Sequence, residues 1–143
     1  METVHASVIN ILYRVPFFAQ LSSSQMEQLL QCGRRMTLPA DVCVFRAGDR
    51  ADCIYVLLSG QARVYLEDQN AQQIVLQECI AGDYVGELAL LDNQPRSASF
   101  ICQTSCEMFV LSQSAFHQLL SSAPTVTMGV LSALTARMRL TLN

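Results

Sequence analysis

Hydrophobic and polar positions divide the chain into a helical beginning, a β-rich middle and a helical end. Val4, Val8, Ile11 and Leu12 recur at helical spacing, which predicts an amphipathic helix ending before Pro16. Ser24-x-x-Glu27 reads as a capping box for a second helix that stops near Gly33. From about Arg35 to Ser112 the period shortens. Runs rich in strand-forming residues cover Val42–Arg46, Cys53–Ser59, Ala62–Leu66, Gln73–Glu78, Ser97–Cys102 and Glu107–Leu111. Asp49, Gly60, Asp68-Gln69-Asn70, Gly82-Asp83 and Asp92-Asn93 punctuate them. Many short strands at even spacing predict a sandwich or barrel. After Ser112 helical spacing returns. Ser112 can cap a helix through Leu120, and Pro124 suits the first turn of a longer one running to the chain end. Leu131, Leu134, Met138 and Leu142 line one face of that last helix.

With 143 residues, 51% of them hydrophobic, the chain has the length of one domain and enough apolar side chains for a core. No run reaches the ~18 apolar residues that suggest a membrane span, so no membrane partner is expected. The first residues, METVHASVINILYRVPFF, lack the basic region that opens a secretory signal. A cytoplasmic location is the resulting expectation. Net charge is −3, and all nine basic residues are arginine. Arg34-Arg35 is the only adjacent basic pair, and no basic stripe carries interleaved aromatics, which argues against nucleic-acid binding through this chain. Six cysteines (32, 43, 53, 79, 102 and 106) form no C-x-x-C, and neither His5 nor His117 stands at metal-ligand spacing. No metal site is expected. Cys43, Cys53, Cys79 and Cys102 fall in apolar runs and read as reduced core residues.

One stretch concentrates the chemistry. Gly82–Phe100 reads GDYVGELALLDNQPRSASF, with Glu87 and Arg96 set among apolar or small residues. Such charges are costly to bury without partners. Either the two pair with each other across a loop, or they hold a ligand. A small anion bearing a hydroxyl would satisfy both, the carboxylate accepting from the hydroxyl and the guanidinium forking onto the anion. Gly86 permits close backbone approach and starts a short helical run, Glu87–Leu91. Free N–H groups at its beginning favour an anion, and Pro95 stiffens the approach to Arg96.

The string Val85-Gly86-Glu87-Leu88-Ala89-Leu90, followed by Pro95-Arg96-Ser97-Ala98, resembles the phosphate-binding cassette of cyclic nucleotide-binding domains. Two earlier segments resemble that family's pattern as well: Phe45-Arg46-Ala47-Gly48-Asp49, and Ile54 to Val64 with its Tyr55, Gly60 and Ala62. The likeness runs from about Val15 to Thr141. Val85 stands where the family usually has an aromatic, and Phe100 where it usually has valine.

The resemblance implies a mainly β fold with flanking helices: a β-roll or jelly-roll barrel with N-terminal helices, a short cassette helix and a C-terminal lid helix. It divides a single domain, 1–143, into N-terminal helices (1–34), a β-roll (35–112) holding the cassette (82–100), and C-terminal helices (113–143). It also implies roles. Glu87 would hold a ribose 2′-hydroxyl and Arg96 the cyclic phosphate. The amides that follow Gly86, those of Leu88 and Ala89 among them, would complete the phosphate nest with Ser97 and Ala98 beside Val85. Val64 and Leu76 would flank the base, and Arg137 and Thr141 would reach the ligand from the last helix. Leu76, an apolar residue where guanine would want a polar partner, favours cAMP over cGMP. No catalytic residue is implied, and the chain reads as a sensor rather than an enzyme, needing no cofactor beyond its cyclic nucleotide. Its last helix can signal by moving, and can pair with a second copy in a homodimer or with an effector. Alternatives stay open: a sensor fragment of a larger transcription regulator, channel or enzyme, a cGMP-responsive module, or a member that has lost its ligand.

Overall fold

A computed structural model describes residues 2–142, with the side chains of residues 2–5, 88–90 and 140–142 outside the described set. The chain divides into two compact units, one made of residues 34–113 and the other of residues 1–33 with 114–143.

The β unit holds eight strands in two antiparallel sheets. β1 (Arg34–Leu38), β8 (Cys106–Ser112), β3 (Cys53–Ser59) and β6 (Tyr84–Val85) lie side by side in one, in that order. The other runs β2 (Cys43–Phe45), β7 (Ser99–Cys102), β4 (Ala62–Glu67), β5 (Gln73–Cys79). Apolar side chains from both sheets form one cluster that includes Phe45, Tyr55, Leu57, Phe100, Met108 and Val110. The sandwich expected from the strand spacing is therefore the architecture found. Its six expected strands all appear, with ends shifted by up to two residues. Residues 97 and 98, read as strand, precede β7 instead, in the backbone that follows Arg96.

Two strands were not legible. β1 opens with two arginines and has no buried residue, so it lacks the apolar signal of a strand. It is held by its register with β8, from Arg34 opposite Val110 to Leu38 opposite Cys106. Arg35 Nη2 donates to both carboxylate oxygens of Glu107 at 2.7 Å across that pair. β6 is two residues long and exists only as the partner of Tyr55 and Val56.

The helical unit contains α1 (Glu2–Leu12), α2 (Ser23–Cys32), most of α4 (Gln113–Ser122) and α5 (Pro124–Leu142). Val8 and Leu12 are buried on α1, as its spacing predicts; the Val4 side chain lies outside the described set. The capping box of α2 is not at Ser24 and Glu27. It is Ser22 and Gln25: Ser22 Oγ accepts from Gln25 N at 3.1 Å, and Gln25 Oε1 accepts from Ser22 N at 2.9 Å. Three serines in a row, 22 to 24, offer competing frames, and Leu21, buried just ahead, fixes the earlier one. The apolar stripe of α5 is exposed or half-buried where it is described, with Leu134 half-buried and the Leu142 side chain outside the described set. Leu131 and Met138 are 52% and 63% exposed, whereas Val126 and Val130 are buried. Gly129 explains the difference. A Cβ there would stand 2.6 Å from Phe17 Cα, so the glycine lets the first half of α5 pack tightly against the Phe17 backbone.

All six cysteines are thiols. Cys53, Cys79, Cys102 and Cys106 are buried, Cys43 is half-buried and Cys32 is exposed. Among the described residues no single helix is long and apolar enough to cross a membrane.

Candidate ligand-binding site

The stretch from Gly82 to Ala98 is pinned at both ends to the β unit. Gly82, with φ at 96°, donates its N–H to Leu57 O at 2.8 Å, and Leu57 N donates to Asp83 O at 2.9 Å. Asp83 Oδ2 accepts from Ile80 N at 2.9 Å and closes the turn. β6 follows, with Val85 opposite Tyr55. Gly86 then takes φ 102° as the N-cap of α3 (Glu87–Asp92). This left-handed backbone disfavours any side chain. A Cβ at Gly86 would in addition collide with Arg96 Nη1.

At the other end, the backbone of Arg96 is held from both sides by one turn. Arg96 N donates to Asp49 O and Gly48 N donates to Arg96 O, each at 2.8 Å. That turn is itself braced: Asp49 Oδ2 accepts from Arg46 N at 3.0 Å, and Ser99 Oγ accepts from Ala47 N at 2.9 Å. The sequence Phe45-Arg46-Ala47-Gly48-Asp49 thus acts as a clamp that sets where Arg96 leaves the main chain.

Glu87 and Arg96 are 3% and 4% exposed, so the two charges singled out from sequence are both buried. Arg96 donates from Nη1 to Gly86 O at 3.1 Å and from Nη2 to Cys53 O at 2.5 Å. Its Cζ stands 4.2 Å from the centroid of the Phe45 ring and 5.8 Å from that of Tyr55. The buried Nε has no hydrogen-bond partner. Burial pulls the guanidinium below its ordinary pKa, opposed by Tyr55 and Asp52, but an arginine stays protonated under such pressure. Burial likewise raises the Tyr55 hydroxyl and the Cys53 thiol, with Cys53 adding to the first and Asp52 to the second.

The structure therefore joins Gly86 and Arg96 directly, with Glu87 one residue on and Val85 buried behind them. Ser97 is exposed and Ala98 buried. Leu88 and Ala89 lie in α3, their side chains outside the described set. Val64 is half-buried on β4, packed against the apolar cluster. Leu76 is 55% exposed on the edge strand β5, so it is not a core residue of the β unit. Arg137, half-buried in α5, belongs to the helical unit, as does Thr141, whose side chain is outside the described set. Sequence reasoning missed the roles of Phe45, Cys53 and Tyr55. The rings near the arginine and the carbonyl beside it come from strands distant in sequence; the Phe45-to-Asp49 and Ile54-to-Val64 motifs marked Phe45 and Tyr55 without showing what they touch.

Comparison with known proteins settles the family. The cyclic nucleotide-binding domain pattern matches residues 35–123. The chain belongs to the cyclic nucleotide-binding domain family. It is 29% identical over 104 residues to the cAMP-activated global transcriptional regulator CRP of Salmonella typhimurium, covering 72% of this chain and 50% of that one. It is 31% identical over 109 residues to the cAMP-dependent protein kinase regulatory subunit of Aspergillus niger, covering 76% of this chain and 26% of that one. Among solved structures it is similar to the regulatory domain of Toxoplasma gondii PKA crystallised with cAMP. The TM-score there is 0.77 at 25% identity, over 82% of this chain and 45% of the other. The chain thus spans half or less of the length of these relatives. The β-roll architecture implied by the cassette is the fold of this family. Among the described residues no group of three or more His, Cys, Asp or Glu is placed to hold a metal ion.

Proposed function

We propose that this chain is a regulatory sensor that binds cAMP at the Gly82–Ala98 cassette and answers by moving α5. The observation that carries the reading is the orphaned N–H of Arg96 Nε, buried in a guanidinium whose Nη1 donates to Gly86 O, one residue before the buried Glu87. A buried donor left without an acceptor costs about 1–3 kcal/mol. A cyclic phosphate oxygen at Nε would remove that cost and neutralise a charge kept out of water. The adjacent Glu87 carboxylate then takes the ribose 2′-hydroxyl. Gly86 lets the backbone approach, and the amides that follow it, those of Leu88 and Ala89 among them, offer N–H groups, with Ser97 and Ala98 closing the nest beside Val85. Val64 and Leu76 give the purine two apolar side chains, and the exposure of Leu76 leaves it available for one. An apolar wall serves adenine better than guanine, whose exocyclic groups ask for polar partners, and the relatives named for cAMP support the same choice. Arg137 and Thr141 would contact the ligand from α5, so that residues 1–143 serve one binding event in the cytoplasm.

The reading assigns binding and no catalysis: Glu87 and Arg96 can hold a phosphodiester but activate no water against it. The greater length of the relatives favours a second reading of the context. In it this sensor is one segment of a larger regulator, channel or enzyme, and its output passes to an effector or a second copy. Calorimetric titration with cAMP, cGMP and a cyclic dinucleotide tests the ligand. The expected result is saturable binding of one cAMP per chain, with cGMP weaker. Equal affinity for cAMP and cGMP overturns the base assignment, and absence of binding to all three overturns the function.

A further inference from the structure

The aromatic side chains around Arg96 suggest how this protein holds a buried cation ready for an anion. Phe45 ends β2 in one sheet, and Tyr55 lies on β3 in the other. Their rings are 5.7 Å apart, and Phe100, paired with Phe45 across β2 and β7, stands 5.5 Å from Phe45 and 6.2 Å from Tyr55. The triad is packed and nearly dry: Phe45 and Tyr55 are each 9% exposed and Phe100 is 1% exposed. The Arg96 guanidinium is set against this group with Phe45 nearest.

We propose that Phe45 is a positioning residue for ligand binding: its ring fixes the Arg96 guanidinium so that the phosphate meets it already oriented. This deepens the cAMP-binding reading and rests on it for its functional half. Two carbonyls, Gly86 O and Cys53 O, take hydrogen bonds from Nη1 and Nη2. They hold one edge of the guanidinium but leave it free to rock about that edge. A ring 4.2 Å from Cζ removes that freedom and offers a negative π face to a charge that burial disfavours. A leucine would fill similar space without the face. Fixing the cation before binding removes an ordering cost that would otherwise fall on the ligand.

The test uses Phe45→Leu, which removes the π face, and Phe45→Tyr, which keeps it. Phe45→Met replaces Phe45→Leu if the latter fails to fold. In the ligand-free protein, the Arg96 Nε–H signal is found in a proton–nitrogen correlation spectrum by its loss in Arg96→Lys. The expected signal is ring-shifted and slow to exchange with water in the parent and in Phe45→Tyr. In Phe45→Leu it moves toward the ordinary arginine position and exchanges faster. An Nε–H signal unchanged by Phe45→Leu overturns the positioning role, with or without a ligand. In cAMP titrations, Phe45→Leu is expected to weaken binding roughly 3- to 30-fold, the range for removing a desolvated cation–π contact. Phe45→Tyr stays near the parent. In an Arg96→Lys background the loss from Phe45→Leu shrinks to less than half as many fold. The same fold-loss in both backgrounds means that the ring only supports the barrel, and the proposal fails. A parent protein that binds no cyclic nucleotide refutes the proposed ligand, while the Nε–H signal still decides whether Phe45 holds the guanidinium.

Discussion

At the scale of single residues the site depends on one cation and one missing side chain. Arg96 is buried, with an Nε that has no partner among the described residues. Arg96→Ala is expected to fold and to lose about 30- to 4,000-fold in cAMP affinity, because losing one member of a buried charge pair costs about 2–5 kcal/mol. Titration of the folded variant checks this; near-parental affinity places the phosphate elsewhere. Gly86→Ala attacks the same contact from the other side. Its Cβ collides with Arg96 Nη1, and φ 102° is strained for alanine, at a cost of about 1–2 kcal/mol from the backbone alone. The expected outcome is a lower melting temperature together with at least a 10-fold loss of affinity, about 1.4 kcal/mol in binding. Unchanged affinity with lowered stability would mean that Arg96 need not stay at Gly86 O to bind. Much of this was legible, since a glycine, a glutamate and an arginine at these spacings resemble a known cassette. The aromatic floor and the Cys53 carbonyl were not, because contacts between strands far apart in sequence, 43 residues for Cys53 and Arg96, leave no local signal.

Among the secondary-structure elements, legibility followed length and periodicity. The seven-residue strands β3 and β8 are buried along nearly their whole length, and an apolar run announces them. β1 has no buried position and is strand only because β8 offers it a ladder. Cap placement failed for a related reason. Ser22, Ser23 and Ser24 are equivalent in composition, and what selects Ser22 is the buried Leu21 ahead of it together with Gln25 three residues on. The corrected box makes a distinct prediction. Ser22→Ala removes the acceptor for Gln25 N and is expected to cost about 0.5–2 kcal/mol, whereas Ser24→Ala, inside the first turn, costs less. Denaturant unfolding of the two variants separates them, and equal losses would return the cap to Ser24.

For the molecule as a whole, the two units differ in what keeps them folded and in what each can transmit. The β unit buries four thiols, and burial, with Cys106 beside it, pushes Cys102 up to about 12. Unfolded, that thiol ionises near its ordinary value of 9.0. Between pH 9 and about 12 the unfolded chain therefore holds fewer protons than the folded one. The linkage slope is then negative, and stability falls as pH rises through this window. Cys102→Ala is expected to show a shallower alkaline fall; an identical slope would remove Cys102 from the balance.

The helical unit is held less evenly. Within α5, Val126 and Val130 are buried, and from Leu131 to Arg139 every side chain is half-buried or exposed. With no side chain fully buried from Leu131 to Arg139, local opening is expected to cost less there than in the first half. A ligand that ordered it would gain a large change in exchange for a small change in energy, which is what a sensor output requires. Hydrogen exchange with and without cAMP is expected to show amides from about Leu131 to Arg139 becoming protected along with those of the cassette. If the cassette amides gain protection while those of α5 do not change, ligand binding stands but α5 is not its output, and the signal must leave through α1 and α2.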